Sequence, residues 1–485
     1  MQQYTDLNKQ FIAGEWLEGS ADHEVENLNP YDESVINTFK GASTDDVDRA
    51  FKVAKDASKS WSVSNPLERQ QVMLKAANIL KERKEEIINW ITKEVGGTYL
   101  KGEIEYTQTY NMLIEAASFP MWMHGYTIPS VTPGKQTLVY RKALGVIAMI
   151  SPWNFPLYLS MRTVAPALAV GNSVVMKPAS QSPVTGGTFI AKLFEEAGLP
   201  AGVINVVVGK SSVIGDHFTA NPESSLISFT GSTPVGKGIG KIGGEGLKKL
   251  ALELGGNNPF IILEDADIDR AVDSTIFGRF MHQGQICMST NRILVHESIY
   301  DKFTEKFIER AKALPYGDPA DKNTVVGPLI DNKAAKRVVE LVQRTVDAGA
   351  KLETGGQADG NVVQPTVLSG VTKDMPIFQE EVFGPAVGII KFKDDAEAIE
   401  LANSTEFGLS GALHTKDLQR GIRIAKQIET GMIHINDQSV NDEPNTPFGG
   451  EKNSGVGRFG GQWILEELTT LQWISYQDEY RDYPF

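Results

Sequence analysis

Four short β-branched runs recur between residues 145 and 230, separated by helix-like sequence: Gly145-Val-Ile-Ala-Met-Ile150, Ser173-Val-Val-Met176, Val203-Ile-Asn-Val-Val-Val208 and Leu226-Ile-Ser-Phe229. Such alternation is the sign of βαβ units on a mostly parallel sheet, and it places the chain in the α/β class. The pattern resumes at Arg292-Ile-Leu-Val-His296, followed by a helix with Tyr300, Phe303, Phe307, Ile308, Ala311 and Leu314 along one face. Further strand-like runs stand at Val387-Gly-Ile-Ile-Lys391 and Met432-Ile-His-Ile-Asn436. A chain of 485 residues exceeds one simple core, so two or three lobes are expected, and the two α/β units would leave a cleft between them.

The flanking sequence has a different texture. The first hundred or so residues read as helical after a short extended start at 9–16, with 46–61 and 67–95 rich in Ala, Leu, Lys and Glu. Residues 127–142 are β-prone and broken by proline and glycine, which suits a hairpin or an arm, and 441–461 reads as loop. A net charge of −14 argues against nucleic acid or an anionic membrane as partner and leaves small molecules as the expected ligands. The amino terminus has no basic segment followed by an apolar stretch, and no apolar run approaches 18 residues.

Cys287 is the only cysteine, so it forms neither an intrachain disulfide nor a multi-cysteine zinc site, and a reducing cytoplasm fits. It is either an inert buried thiol or a nucleophile. Its setting, Gly284-Gln-Ile-Cys-Met-Ser-Thr-Asn291, reads as a polar turn.

Three glycine patterns suggest nucleotides. Gly238-Ile-Gly-Lys-Ile-Gly243 and Gly455-Val-Gly-Arg-Phe-Gly460 match G-x-G-x-x-G, but neither follows a convincing strand with an acid about 20 residues on. Gly231-Ser-Thr-Pro-Val-Gly-Lys-Gly238 follows a strand and nearly spells a P-loop, yet ends in glycine where Ser or Thr would bind magnesium. A strand, a glycine turn and a helix amino terminus remain, and that geometry can hold phosphates of any nucleotide. Glu253, flanked by leucines, is either a partly desolvated general base or an exposed strand-edge residue. Asn154 lies just past a strand end between two prolines, and Lys177 ends an apolar strand, where α/β proteins place ligand sites.

Together, Pro152-Trp-Asn-Phe-Pro156, Lys177-Pro-Ala-Ser180, Phe229-Thr-Gly-Ser-Thr-Pro-Val-Gly236, Leu252-Glu-Leu-Gly-Gly256, Gly284-Gln-Ile-Cys287 and Glu380-Glu-Val-Phe-Gly-Pro385 resemble the aldehyde dehydrogenase superfamily in order and spacing over nearly the whole chain. The resemblance implies a Rossmann-like cofactor domain (1–126 and 143–254), an α/β catalytic domain (255–462), and a small β oligomerisation arm with a tail (127–142 and 463–485) that joins a homodimer or homotetramer. It matches Cys287 to the nucleophile, Glu253 to the general base and Asn154 to the oxyanion-stabilising amide. It also matches Lys177 to the adenosine ribose, Ser232 to the pyrophosphate, Glu381 to the nicotinamide ribose and Phe383 to the nicotinamide side, with Trp153, Ser180, Gly209, Gly231 and Gly236 completing the cofactor contacts. No metal enters this chemistry.

The 435–450 loop and Arg162 look like the branch acting on benzaldehyde- and vanillin-type aldehydes, with succinate semialdehyde or aliphatic aldehydes as the alternative. Phe155, Tyr158, Arg162, Ile286, Met288 and Phe459 would line the substrate pocket; the aromatics among them would equally serve as packing. Two other classes stay in contention: a cofactor-binding homologue without turnover, and a P-loop nucleotide hydrolase. NAD-specific relatives usually carry glutamate where this chain has Ser180, so NADP is expected to be accepted alongside NAD.

Overall fold

The computed structural model describes residues 3–485. Its first sheet is built from the β-branched runs, and their continuous apolarity follows from burial on both faces. Five parallel strands lie in the order Ile204–Val206, Ser173–Lys177, Val146–Ile150, Ser224–Thr230, Lys249–Glu253. Helices Pro156–Ala169, Phe189–Glu196, Ser211–Ala220 and Thr233–Glu245 connect them in sequence. The order reverses at Val146–Ile150, so connections leave on either side of that strand and a crevice opens beyond the carboxyl ends. Both edges are covered by antiparallel partners: the hairpin of Gln10–Ile12 and Glu15–Leu17 on one side, Gly455–Val456 on the other.

Four residues, 254–257, lead from the end of this sheet into a second one. Its order is Lys351–Thr354, Thr366–Ser369, Ala386–Phe392, Thr290–His296, Asn258–Ile262, Ala412–His414, His434–Ile435, with only Lys351–Thr354 antiparallel. Alternate residues feed two separate cores: Phe260, Ile262, Ile293 and Val295 pack with Phe303 and Phe307, whereas Ile261 and Leu294 pack with Leu341 and Phe378. With so short a link, the carboxyl edge of the first sheet faces the amino edge of the second.

The 127–142 segment forms part of a ribbon. Strand Lys135–Ala143 pairs along its whole length with Thr469–Gln477, and Tyr126–Thr127 adds a short third strand. Trp473, 65% exposed, stands on this ribbon with Tyr126, Tyr140, Leu471, Ile474 and Tyr476, all open to solvent.

Several expectations are corrected. Residues 9–16 form a hairpin rather than a single extended start, and a second hairpin, Glu24–Leu28 with Val35–Lys40, precedes the helices Thr44–Trp61, Pro66–Glu82, Lys84–Val95 and Tyr99–Ala116. Polar Asn27 points inward in that hairpin and donates to the buried Glu94, which disguised the alternation of the strand. Helix Gly461–Leu468, which overlaps the start of 463–485, buries Ile464, Leu465 and Leu468 in the first lobe's core. Gly455–Val456, within 255–462, also belongs to the first sheet, because the chain crosses back to it before entering the arm. Among the described residues no helix is long and apolar enough to cross a membrane.

Candidate active site

Strand ends gather the site. Lys177 and Glu253 are the last residues of their strands, Asn154 follows Val146–Ile150, and Ser232 follows Ser224–Thr230. From the second lobe come Cys287, just before Thr290–His296, and Glu381 and Phe383, just before Ala386–Phe392.

The thiol loop is fixed through its carbonyls. Asn258 Nδ2 donates to the Cys287 oxygen at 2.7 Å and to the Ser289 oxygen at 2.8 Å, and Ser439 Oγ donates to the Met288 oxygen at 2.7 Å. Asn154 Nδ2 donates to the Gln285 oxygen at 2.9 Å, so the amide reaches the same loop from the first lobe. His282 and Gln283 take φ of 47° and 55°, a left-handed turn that costs of order 1 kcal/mol or more for each non-glycine residue.

Buried charge surrounds the thiol. Arg162, 1% exposed, donates from Nη1 to Asp442 Oδ2 at 3.0 Å, and its Nη2 stands 3.7 Å from Glu253 Oε2. Its guanidinium carbon lies 4.1 Å from the centroid of the Phe448 ring and 4.6 Å from that of Phe459, so the cation is held by two π faces as well as by carboxylates. Glu253 is fully buried, and the donors beside its carboxyl are the Cys287 thiol and the Thr230 hydroxyl. Burial raises its pKa, and the nearby Arg162 charge opposes the rise. Burial and then the Glu253 charge push the Cys287 thiol well above its ordinary value, again with Arg162 opposing. Asp442 and Tyr158 are raised by burial too, each restrained by the Arg162 cation. A thiol and a carboxyl buried side by side, with a cation near both, is an arrangement for nucleophilic and general-base chemistry.

The crevice fits an anionic dinucleotide. Lys177, pushed down to about 8 by burial, uses one donor on Ser211 Oγ at 2.9 Å and has two ammonium hydrogens to spare. Ser232 stands at the amino terminus of Thr233–Glu245 without a side-chain cap, leaving first-turn N–H groups for an anion. A Cβ at Gly236 would lie 2.3 Å from Leu254 Cδ2, so glycine permits this helix to pack closely on the sheet. The near-P-loop thus has the expected strand, turn and helix, while Gly238 and Gly243 are interior helical residues rather than a fingerprint. Gly231 and Gly209 sit in the turns that follow Ser224–Thr230 and Ile204–Val206. Glu381 Oε1 accepts from the Gly256 N–H at 2.9 Å, and burial raises this carboxyl to about 7. Trp153 and Phe383 meet edge to face at 5.5 Å, and Ser180 is half-buried at the rim.

Comparison with known proteins decides the family. The model of the aldehyde dehydrogenase family matches residues 16–474. The chain belongs to the aldehyde dehydrogenase family. It is 50% identical over 485 residues to a benzaldehyde dehydrogenase of Bacillus subtilis, covering 100% of both chains. It is 51% identical over 472 residues to a vanillin dehydrogenase of Corynebacterium glutamicum, covering 97% of this chain and 98% of that one. The crystal structure of an NAD-dependent benzaldehyde dehydrogenase from Corynebacterium glutamicum superposes with a TM-score of 0.90 at 48% identity, covering 97% of this chain and 98% of the other.

Within this aldehyde dehydrogenase, the six residues expected to line the substrate pocket separate into two groups. Ile286 and Met288 flank the thiol. Arg162 and Phe459 stack on one another, and Tyr158 stands beside Asp442. Phe155 packs on His282 at 5.4 Å and under the Lys101 ammonium at 4.5 Å. Sequence reasoning passed over Asp442, Ser211 and Asn258. Asp442 stood in the loop already singled out, but nothing local shows that it pairs with an arginine 280 residues earlier.

Proposed function

We propose that this aldehyde dehydrogenase oxidises aromatic aldehydes of the benzaldehyde and vanillin type to carboxylic acids with NAD, and that it also accepts NADP. The observation that carries the reading is the enclosure of the single thiol by Glu253 and Asn154 in a chain about 50% identical, end to end, to benzaldehyde and vanillin dehydrogenases. Cys287 gives up its proton to solvent and its thiolate adds to the aldehyde carbon, and Asn154 Nδ2, with the Cys287 N–H, donates to the oxyanion that forms. When bound, the nicotinamide cofactor would supply the hydride acceptor. Cys287 is then a thioester, and Glu253 draws a proton from the water that hydrolyses it, releasing acid and thiol. The Arg162 cation favours both ionised groups, and Asp442 holds that cation in place.

Lys177, Ser232 and the Glu381 carboxylate would hold the cofactor's ribose and pyrophosphate groups, and Ser180 leaves room for a 2′-phosphate. The exposed apolar ribbon at Trp473 and Ile474 supports assembly into a dimer or tetramer. The lone reduced thiol is compatible with a cytoplasmic setting. Reduced-cofactor formation at 340 nm with benzaldehyde, vanillin, succinate semialdehyde and hexanal tests the reading. Aromatic substrates are expected to exceed the others in kcat/KM by about tenfold or more. Preference for succinate semialdehyde or hexanal would overturn the substrate class, and no turnover with any aldehyde would overturn the enzymatic reading.

A further inference from the structure

Arg279, at the end of helix Ile268–Phe280, is fully buried with no salt-bridge partner among the described residues. Burial lowers its pKa to about 9, and the nearest opposing influence is the Glu381 charge. A packed apolar side chain would be the cheaper occupant of such a place unless the guanidinium has work that only a forked donor performs. Its bonds show what that work is. Nη1 donates to the Thr290 oxygen at 2.9 Å and to Asn291 Oδ1 at 2.5 Å, and Nη2 donates to the Gly284 oxygen at 2.9 Å. The same Nη2 reaches the Val382 oxygen at 3.0 Å and the Gly384 oxygen at 2.5 Å.

The first three acceptors bracket Cys287 on both sides, and the last two bracket Phe383 beside Glu381. A second observation points to the same junction. Gly284 has φ of 71°, and a Cβ there would lie 2.0 Å from Arg279 Nη2 and 2.4 Å from the Gly384 oxygen, so the two loops meet where a side chain is missing.

We infer that Arg279 is a positioning residue that ties the thiol loop to the Glu381–Phe383 loop, so that occupation of the ribose site at Glu381 is communicated to Cys287 through the protein. The inference rests on the proposed cofactor reading. It differs from direct contact between cofactor and thiol, and ADP-ribose separates the two, because that molecule keeps the ribose but has no nicotinamide ring to touch the sulfur.

The test is the rate of Cys287 alkylation by iodoacetamide with and without saturating ADP-ribose, in wild type, Arg279→Lys, Arg279→Met and Asn291→Ala. In wild type the ligand is expected to change the rate by about fivefold or more. The ratio should fall to within about twofold of unity in both Arg279 variants and partway in Asn291→Ala, while the rate without ligand stays within about threefold of wild type. Lysine retains the cation and loses the fork, so Arg279→Lys distinguishes geometry from charge. An unchanged ratio in the Arg279 variants, or a wild type that oxidises benzaldehyde yet shows no ADP-ribose effect, would overturn the proposal and leave the enzymatic reading standing. Failure of all three variants to fold would assign Arg279 to stability alone and overturn it equally. A wild type that forms no reduced cofactor would remove the reading and this inference together.

Discussion

The layer of buried charge near the thiol and the ribbon at the chain's end invert the usual partition in opposite senses. Near Cys287, Arg162, Glu253 and Tyr158 are buried, and the Asp442 side chain is only 7% exposed. On the ribbon, Leu471, Trp473, Ile474 and Tyr476 face solvent. Isolated buried charge is expensive, and contiguous exposed apolar surface is rare on monomers. In the first region the cost is offset within the chain, by the Arg162 fork and the Phe448 and Phe459 faces. Nothing among the described residues covers the second. The contrast teaches that one region is complete within a single chain and answers to pH and chemistry, whereas the other, on the assembly proposed above, would be completed by a second chain and would answer to concentration.

The largest effect is expected from Cys287→Ser, which should lower turnover by roughly 10³-fold or more with cofactor affinity retained, as measured by steady-state rates and cofactor titration. Full turnover after stoichiometric alkylation of the single thiol would place the nucleophile elsewhere. Glu253→Gln should slow steady-state turnover by about 10²- to 10⁴-fold yet preserve a rapid burst of reduced cofactor, resolved by stopped flow. Burst and steady state falling together would give Glu253 a role before the thioester.

The next effects go to the heart of the buried layer. The Arg162 charge lowers the pKa values of Glu253 and Cys287, so Arg162→Met should move the acid limb of kcat/KM upward, by about one pH unit or more. Asp442 raises Glu253, so Asp442→Asn should move that limb the opposite way, by a smaller amount. Arg162→Met also strands Asp442 and should cost about 3 kcal/mol of stability, which Arg162→Met with Asp442→Leu should largely recover without restoring the limb. Coincident limbs in all these variants would reduce the layer to packing.

Smaller still is the cofactor effect. Ser180→Glu should depress kcat/KM with NADP by about tenfold and leave NAD nearly unchanged, and equal loss with both would remove Ser180 from the argument. On the ribbon, Leu471→Lys with Trp473→Lys should yield smaller species by sedimentation while changing kcat per chain by no more than about twofold. An unaltered sedimentation coefficient would locate the interface elsewhere.

The two regions were also unequally legible in the sequence. Strands at 146–150, 173–177, 204–206 and 224–230 carry their own signal, because burial on both faces demands a continuous β-branched run. Cys287, Glu253, Asn154 and the cofactor residues stand in short segments whose order suffices for recognition. Bonds between distant segments are another matter. Arg162 with Asp442, Arg279 with Gly384, and Asn258 with the thiol loop join residues from 29 to 280 positions apart, and no local preference encodes them. The Glu24–Leu28 hairpin strand escaped because a polar residue, Asn27, takes an inward position that a hydrophobic pattern reserves for an apolar one.

The most direct test is acid quench of Glu253→Gln milliseconds after mixing with benzaldehyde and NAD, followed by peptide mass spectrometry. One benzoyl group per chain on the Cys287 peptide, in step with one equivalent of reduced cofactor, is the expected result. Reduced cofactor without an acylated Cys287, or an acyl group on any other residue, would contradict a thioester formed at this thiol and hydrolysed with the help of Glu253.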